Sequence, residues 1–167
     1  MLDRSKGDSM RCSQDTFEVG YKMQMNDIAS SIGLANLCHT DRLLERNRRN
    51  AMMYDSALSS NKSVHTYNIR SASKSSYWLY TVLVEDAVDF IRYMKNEGIS
   101  CGKVHTRNDS KHLFKACKRK GMLLGLKEFD DKHVCIPVGW WLTDTEVYKV
   151  CSAIRSYNYG CNYNSDS

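Results

Sequence analysis

The chain has 167 residues, and 42% of them are hydrophobic, so it can form one domain with a packed core. Its net charge is +5, but the charged residues, 26% of the total, have both signs and are spread along the chain. This distribution does not resemble a nucleic-acid-binding tail. No apolar run approaches the roughly 18 residues of a membrane span. We therefore expect partners other than nucleic acids and membranes.

Cysteine usage indicates a reducing compartment. The seven cysteines are an odd number, and no Cys-x-x-Cys pair occurs. The first residues also lack the apolar run of a signal peptide, so we expect reduced thiols and a cytoplasmic location. His133 and Cys135 would share one face of a strand, but no second pair has zinc-like spacing. The sequence therefore predicts no metal site.

Composition divides the chain into four segments. Residues 1–19 are polar and lack periodicity, which predicts an irregular N-terminal segment. Residues 20–58 predict a helical hairpin that serves as an interface region, and residues 59–156 predict a small α/β domain. The polar residues 157–167 predict a frayed tail. The expected fold class is α/β, with a helical hairpin and a small, mainly antiparallel sheet covered by helices.

The stretch Gly20–Leu37 contains the first candidate site. Asn26 and Asp27 are favourable N-caps, and apolar residues follow them at helical spacing. Lys22 lies just ahead of this helix start, where backbone N–H groups and a partial positive charge suit a phosphate or carboxylate. An ordinary capped core helix explains the same pattern. Gly33 favours close approach of another body, because a glycine inside a helix costs roughly 1 kcal/mol relative to alanine.

A second helix is expected to start at an Asp41 cap and to end near Leu58. Its apolar residues fall on one face, whereas Arg46, Arg48 and Arg49 crowd another face. A solvated basic face explains these arginines more simply than a specific anion site does.

The α/β segment shows alternating strand and helix patterns. The predicted elements are strands over 64–69, 77–84, 99–104 and 133–136, and helices over 87–96, 112–119 and from Thr143 onward. The strand over 77–84 is richest in β-branched and aromatic residues and should be central. Residues 123–132 are expected to form a link. Asp86 should cap the helix over 87–96, with Val88, Ile91 and Met94 facing inward, and Gly98 should stop it.

The polar loop His105–Ser110 is the second candidate site. His105 and Arg107 could bind a phosphorylated or acidic ligand, but a loop that is polar only for solubility is equally compatible. Neither a Gly-rich phosphate loop nor a Gly-x-Ser-x-Gly or His-Glu-x-x-His motif occurs. No catalytic residue is therefore predicted.

Several segments resemble, in order, the DegT/DnrJ/EryC1/StrS family of pyridoxal-phosphate-dependent nucleotide-sugar aminotransferases. They are residues 20–37, 49–58, 78–80, 96–99, 104–109 and 136–143. The resemblance covers nearly the whole chain, and its first segment is the most specific one. It implies the fold of the C-terminal domain of fold-type I aminotransferases. It corresponds to the part of the family downstream of the large domain that holds the Schiff-base lysine.

The family resemblance implies amino transfer from an amino acid such as glutamate to a keto sugar nucleotide, in surface-glycan or polysaccharide biosynthesis. It implies pyridoxal phosphate as cofactor, with Lys22, Gln24 and Asn26 near the phosphate. The family typically has an Asn and an Arg at the positions of Lys22 and Gln24. The substrate-binding residues implied by the resemblance are Tyr21, His105, Arg107 and Asn108.

The missing lysine domain implies that the isolated chain is inactive. The resemblance also implies a partner, which is either a second copy in a homodimer or a separate large-domain chain. The alternative reading is a non-catalytic module, derived from this domain, that binds an anion or a protein partner.

Overall fold

The computed structural model describes residues 17–21, 25–67, 73–114, 117, 121 and 123–158. Its helices are α1 (Asp27–Leu37), α2 (Thr40–Leu58), α3 (Ala87–Asn96), α4 (Leu124–Lys132) and α5 (Asp144–Ser156). Its strands are β1 (Val64–Thr66), β2 (Tyr80–Val84) and β3 (His133–Ile136). Two short 3-10 turns, Asn108–Ser110 and His112–Phe114, lie between α3 and α4.

The three strands form one antiparallel sheet in the order β1-β2-β3. β2 is central, as predicted, and it pairs Val84 with Val64 on one side and Tyr80 with Ile136 on the other. The predicted strand over 99–104 is wrong. Gly102 makes only an isolated bridge to β3, and the Ile99 N–H instead bonds to the carbonyl at the end of α3.

The core lies between the sheet and the helices α2, α3 and α5. β2 buries every second residue on one face, as its β-branched and aromatic pattern predicts. The largest fully buried side chains include Tyr54 of α2, Phe90 of α3 and Ile154 of α5. The sheet and these three helices therefore form one hydrophobic core.

The local capping signals are confirmed. The Asp86 carboxylate accepts hydrogen bonds from the N–H groups of Val88 and Asp89, and Gly98 ends the α3 region with φ at +73°. Thr143 and Glu146 form the predicted capping box at the start of α5. The predicted inward position of Val88 is wrong, because Val88 is 75% exposed. Ala87 and Phe90 of the same helix are buried.

Three other expectations are corrected. Asp41 is not the N-cap of α2, which follows His39 and has no side-chain cap. Residues 123–132 form the helix α4 rather than a link. Tyr157 does not belong to a frayed tail, because it is 1% exposed and its hydroxyl donates to Asp89 at 3.0 Å.

The arginines of α2 hold neighbouring elements rather than forming a solvated face. Arg46 and Arg49 both pair with Asp144 at the start of α5, at 2.6 and 2.5 Å. Arg48 donates through Nε to the carbonyl of Ser75 at 2.9 Å. These bonds fix α2 against α5 and against the turn that precedes β2.

Two predicted elements extend beyond the described residues. β1 ends at Thr66, and residues 68–69 of the predicted strand lie outside the described residues. The predicted helix over 112–119 has a 3-10 turn at His112–Phe114, and most of its remaining residues are likewise not described. Among the helices that the structure does describe, none is both long and apolar enough to cross a membrane.

Candidate functional site

The first candidate site lies at the start of α1, which begins where the sequence predicts. Asn26 has an extended backbone, and its side-chain oxygen accepts a hydrogen bond from the Ala29 N–H at 2.8 Å. The N–H groups of Asp27 and Ile28 belong to the first turn, so they have no partner within the helix. A capped helix end with these donors suits an anion.

The residues ahead of α1 are only partly described. Tyr21 is 87% exposed, whereas Lys22 and Gln24 lie outside the described residues. The roles of these three residues, and that of Asn26 toward a ligand, stay predictions.

The apolar face of α1 is open to solvent. None of its residues is buried in the described structure, and Ile28 and Leu34 are each 73% exposed. A Cβ atom added at Gly33 would meet no described atom within 4 Å. The body expected to pack on Gly33 is therefore not supplied by the described part of the chain.

In the second candidate site, the loop from His105, the positively charged Arg107 pairs with a carboxylate of the same loop. Arg107 donates to both oxygens of Asp109, at 2.9 and 2.6 Å. The hydrogen bond to Asp109 and the nearby charges of Asp130 and Asp131 raise the pKa of Arg107. An anionic ligand of Arg107 would therefore compete with the Asp109 carboxylate. Asn108 is exposed at the start of the following 3-10 turn.

Aromatic contacts connect this loop to two other segments. The Trp78 and His105 ring centroids are 5.7 Å apart, and those of Phe17 and His112 are 5.0 Å apart. The second contact places Phe17 beside His112, which lies two residues after the loop. Because Tyr21 follows Phe17 by four residues, its Cα lies within about 14 Å of that of Phe17. Trp78 lies in a segment that resembles the family, but the sequence analysis did not name it as a site residue, although an aromatic pair directly after a serine-rich break was an available signal.

His133 packs against α4, and Cys101 is half-buried. Nδ1 of His133 lies 2.9 Å from the Phe129 carbonyl, and the His133 ring stacks on that of Phe129. Burial raises the pKa of Cys101 to about 11, so its thiol is protonated at neutral pH. Among the described residues, no group of three or more His, Cys, Asp or Glu side chains is placed to hold a metal ion.

Comparison with known proteins identifies the family. The model of the DegT/DnrJ/EryC1/StrS aminotransferase family matches residues 3–155. The chain belongs to this family. The predicted fold is also confirmed, because the structural neighbours are fold-type I sugar aminotransferases.

Three relatives illustrate the extent of the similarity. The chain is 33% identical over 70 residues to the UDP-4-amino-4,6-dideoxy-N-acetyl-beta-L-altrosamine transaminase of Campylobacter jejuni, an alignment that covers 42% of this chain and 19% of that protein. It is 35% identical to the sugar aminotransferase CalS13 of Micromonospora echinospora, with a TM-score of 0.75 over 82% of this chain and 37% of that one. The putative sugar aminotransferase Spr1654 of Streptococcus pneumoniae, solved in its PLP form, is 23% identical with a TM-score of 0.67, over 81% of this chain and 36% of that one. The chain therefore spans well under half of each of these relatives.

Proposed function

We propose that these residues form the C-terminal part of a pyridoxal-phosphate-dependent nucleotide-sugar aminotransferase. The proposed reaction moves an amino group from an amino acid such as glutamate to a keto sugar nucleotide, in the cytoplasm, for surface-glycan or polysaccharide biosynthesis. The observation that carries the proposal is the family match over residues 3–155. The similarity to CalS13, which is described as a sugar aminotransferase, and to a transaminase named for a UDP-sugar supports it.

The start of α1 has features that suit the cofactor's phosphate. Pyridoxal phosphate, when bound, supplies the electron sink for amino transfer. The side-chain oxygen of Asn26 accepts a hydrogen bond from the Ala29 N–H. The side-chain NH₂ group of Asn26 is a hydrogen-bond donor. In the proposal, Asn26 and the first N–H groups of α1 bind the phosphate, and Lys22 adds a point charge. Gln24 lies on the same segment and adds an amide.

The remaining parts of the proposal concern the substrate and the partner. Tyr21, His105 and Asn108 are proposed to contact the sugar nucleotide, and Arg107 would do so after release from Asp109. The Schiff-base lysine is proposed to lie on a large domain outside these residues. The exposed apolar face of α1 supports a cover formed by that domain and by a second subunit.

The first experiment tests the isolated chain. The chain is incubated with pyridoxal phosphate and borohydride and is then analysed by mass spectrometry. We expect no stoichiometric adduct on any single lysine, because the anchor lysine lies elsewhere. In parallel, the backbone amide signals of Asp27 and Ile28 are followed during titration with pyridoxamine phosphate. These signals should shift, and the shift should weaken in Lys22→Gln but not in the exposed control Lys62→Gln.

The second experiment tests activity in a pair. The chain is co-expressed with a polypeptide that contains the family's large domain, and the complex is assayed for amino transfer to a keto sugar nucleotide. Transfer that requires both polypeptides supports the proposal. A stable complex that carries out no transfer would instead favour the non-catalytic module, and a stoichiometric adduct on the isolated chain would overturn the expected inactivity.

A further inference from the structure

Trp78 lies on a backbone turn with an unusual conformation. The residue before it, Tyr77, has φ at +47°, a region that a bulky non-glycine side chain seldom adopts. Conformations of this kind persist only when surrounding contacts enforce them, and they cluster at functional sites. Contacts around Tyr77 must therefore hold this turn.

Side chains of α2 supply the contacts that enforce this turn. Arg48 donates to the Ser75 carbonyl at 2.9 Å, and Asn47 donates to the Ser76 carbonyl at 3.2 Å. The Tyr77 N–H donates to the Ser75 hydroxyl, and the Tyr77 ring stacks on that of Tyr80 with centroids 6.1 Å apart. The turn is thus held by α2 at Ser75 and Ser76, and by the N–H and the ring of Tyr77.

The result is an exposed indole on a backbone turn that α2 holds. Trp78 is 66% exposed, although indole is among the side chains that gain most from burial. Its ring meets the exposed His105 ring at a centroid distance of 5.7 Å and an interplanar angle of 54°. The Trp78 ring therefore presents exposed flat surface beside His105, and His105 also carries polar ring nitrogens.

We propose that Trp78 and His105 form the stacking site for the base of the nucleotide in the sugar-nucleotide substrate. This inference rests on the proposed function, which supplies the nucleotide. A base offers a flat π face to Trp78, and stacking on an aromatic side chain favours base binding whatever the base. A backbone turn that is already held loses little conformational freedom on binding, so the contacts from α2 favour affinity.

The binding test uses the tryptophan as its own reporter. The chain has three tryptophans, so the double variant Trp140→Phe/Trp141→Phe leaves Trp78 alone. Its emission should be quenched saturably by UDP at about millimolar concentration, as expected for one stacked base, and ribose 5-phosphate should not quench it. His105→Ala in this background should weaken UDP binding, and the exposed control His65→Ala should not. Unsaturable quenching, or equal quenching by ribose 5-phosphate, would overturn the proposal.

A kinetic test separates this inference from the proposed function. In the co-expressed complex, Trp78→Ala should raise KM for the sugar nucleotide about tenfold and leave kcat almost unchanged, because it removes uniform binding energy. The control Tyr148→Ala changes another exposed aromatic residue and should leave KM unaltered. An unchanged KM in Trp78→Ala would overturn the stacking site alone. Absence of amino transfer by the unsubstituted complex would instead overturn the proposed function.

Discussion

Asn50 of α2 holds Gly139 in place through a buried hydrogen bond. The Asn50 side chain is fully buried, and its nitrogen donates to the carbonyls of Gly139 at 3.0 Å and Val138 at 3.2 Å. Two further side chains of α2, each four residues from Asn50, also donate to carbonyls of this segment. Tyr54 donates to the Pro137 carbonyl and Arg46 to the Leu142 carbonyl, both at 2.7 Å. One face of α2 therefore fixes the backbone over 137–142.

Asn50→Ala should lower the free energy of unfolding by about 2 kcal/mol, because two buried carbonyls lose their donor. Urea denaturation followed by circular dichroism measures this change. Asn47→Ala is the control, since Asn47 is half-buried and donates one bond, to the Ser76 carbonyl. A loss for Asn50→Ala no larger than that for the control would contradict the assigned role of Asn50.

Tyr157→Phe should lower the free energy of unfolding by about 2 kcal/mol, because the buried Asp89 carboxylate loses a charge-assisted hydrogen bond. Asp89 is 5% exposed, so water does not easily replace the lost hydroxyl. Tyr148→Phe on α5 is the matched control, because Tyr148 is 65% exposed. Equal thermal midpoints for Tyr157→Phe and the unsubstituted chain would show that this hydrogen bond adds nothing to stability.

Elements defined by local chemistry could be predicted from the sequence. Asp86 and Thr143 cap helices within three residues of themselves, so neighbouring residues contain the whole signal. Partners distant in the chain could not be predicted. The acceptors of Arg46 and Arg48 lie 96 and 27 residues away, and the Tyr157 hydroxyl bonds across 68 residues. These three side chains therefore looked solvated or frayed.

The candidate sites also combine features that could be predicted from the sequence with features that could not. The start of α1 follows from local capping chemistry, and the N-cap, Asn26, is one of the two residues that the sequence offered. The internal pairing of Arg107 with Asp109, two residues away, was a local signal that sequence reasoning did not use. The contact of Trp78 with His105 joins residues on separate elements, and it depends on a turn held by α2, so only the structure shows it.

Acid should weaken the start of α5 through Glu146. Hydrogen bonds from the backbone and then the hydroxyl of Thr143 lower the pKa of Glu146 from its ordinary value of 4.5. A pKa that is lower in the folded chain contributes stability above the unfolded value, and this stability is lost as the pH falls through the folded value. The stabilising effect is therefore full at pH 7 and declines below 4.5.

Glu146→Gln tests this pH dependence because it removes the charge and keeps the side-chain length. The unsubstituted chain should be more stable than Glu146→Gln at neutral pH, and this difference in thermal midpoint should shrink as the pH falls below 4.5. In a Thr143→Ala background the difference between chains with Glu146 and with Glu146→Gln should be smaller but not absent, because the hydroxyl is lost and the backbone N–H of residue 143 still donates to Glu146. A difference that is constant across the acid range would show that the carboxylate charge does not stabilise the capping box.

The last prediction concerns association through the segment from Gly20 to Leu58. The exposed apolar face of α1 is of a kind that seldom stays uncovered on a monomer, so we expect the chain to self-associate or to pair with a large-domain polypeptide.

Gly33→Leu should disrupt this association by blocking close approach of the partner. The leucine would meet no atom of the described residues and raises helix propensity, so a misfolded monomer does not explain such a loss. Gly125→Leu is the matched control, because Gly125 is a helical glycine on α4 with the same open surroundings. Sedimentation velocity at about tens of micromolar, where exposed apolar surface drives association, should show a complex for the unsubstituted chain and for Gly125→Leu but a monomer for Gly33→Leu. A stable monomer of the unsubstituted chain that also fails to bind the large-domain polypeptide would contradict the assignment of this face.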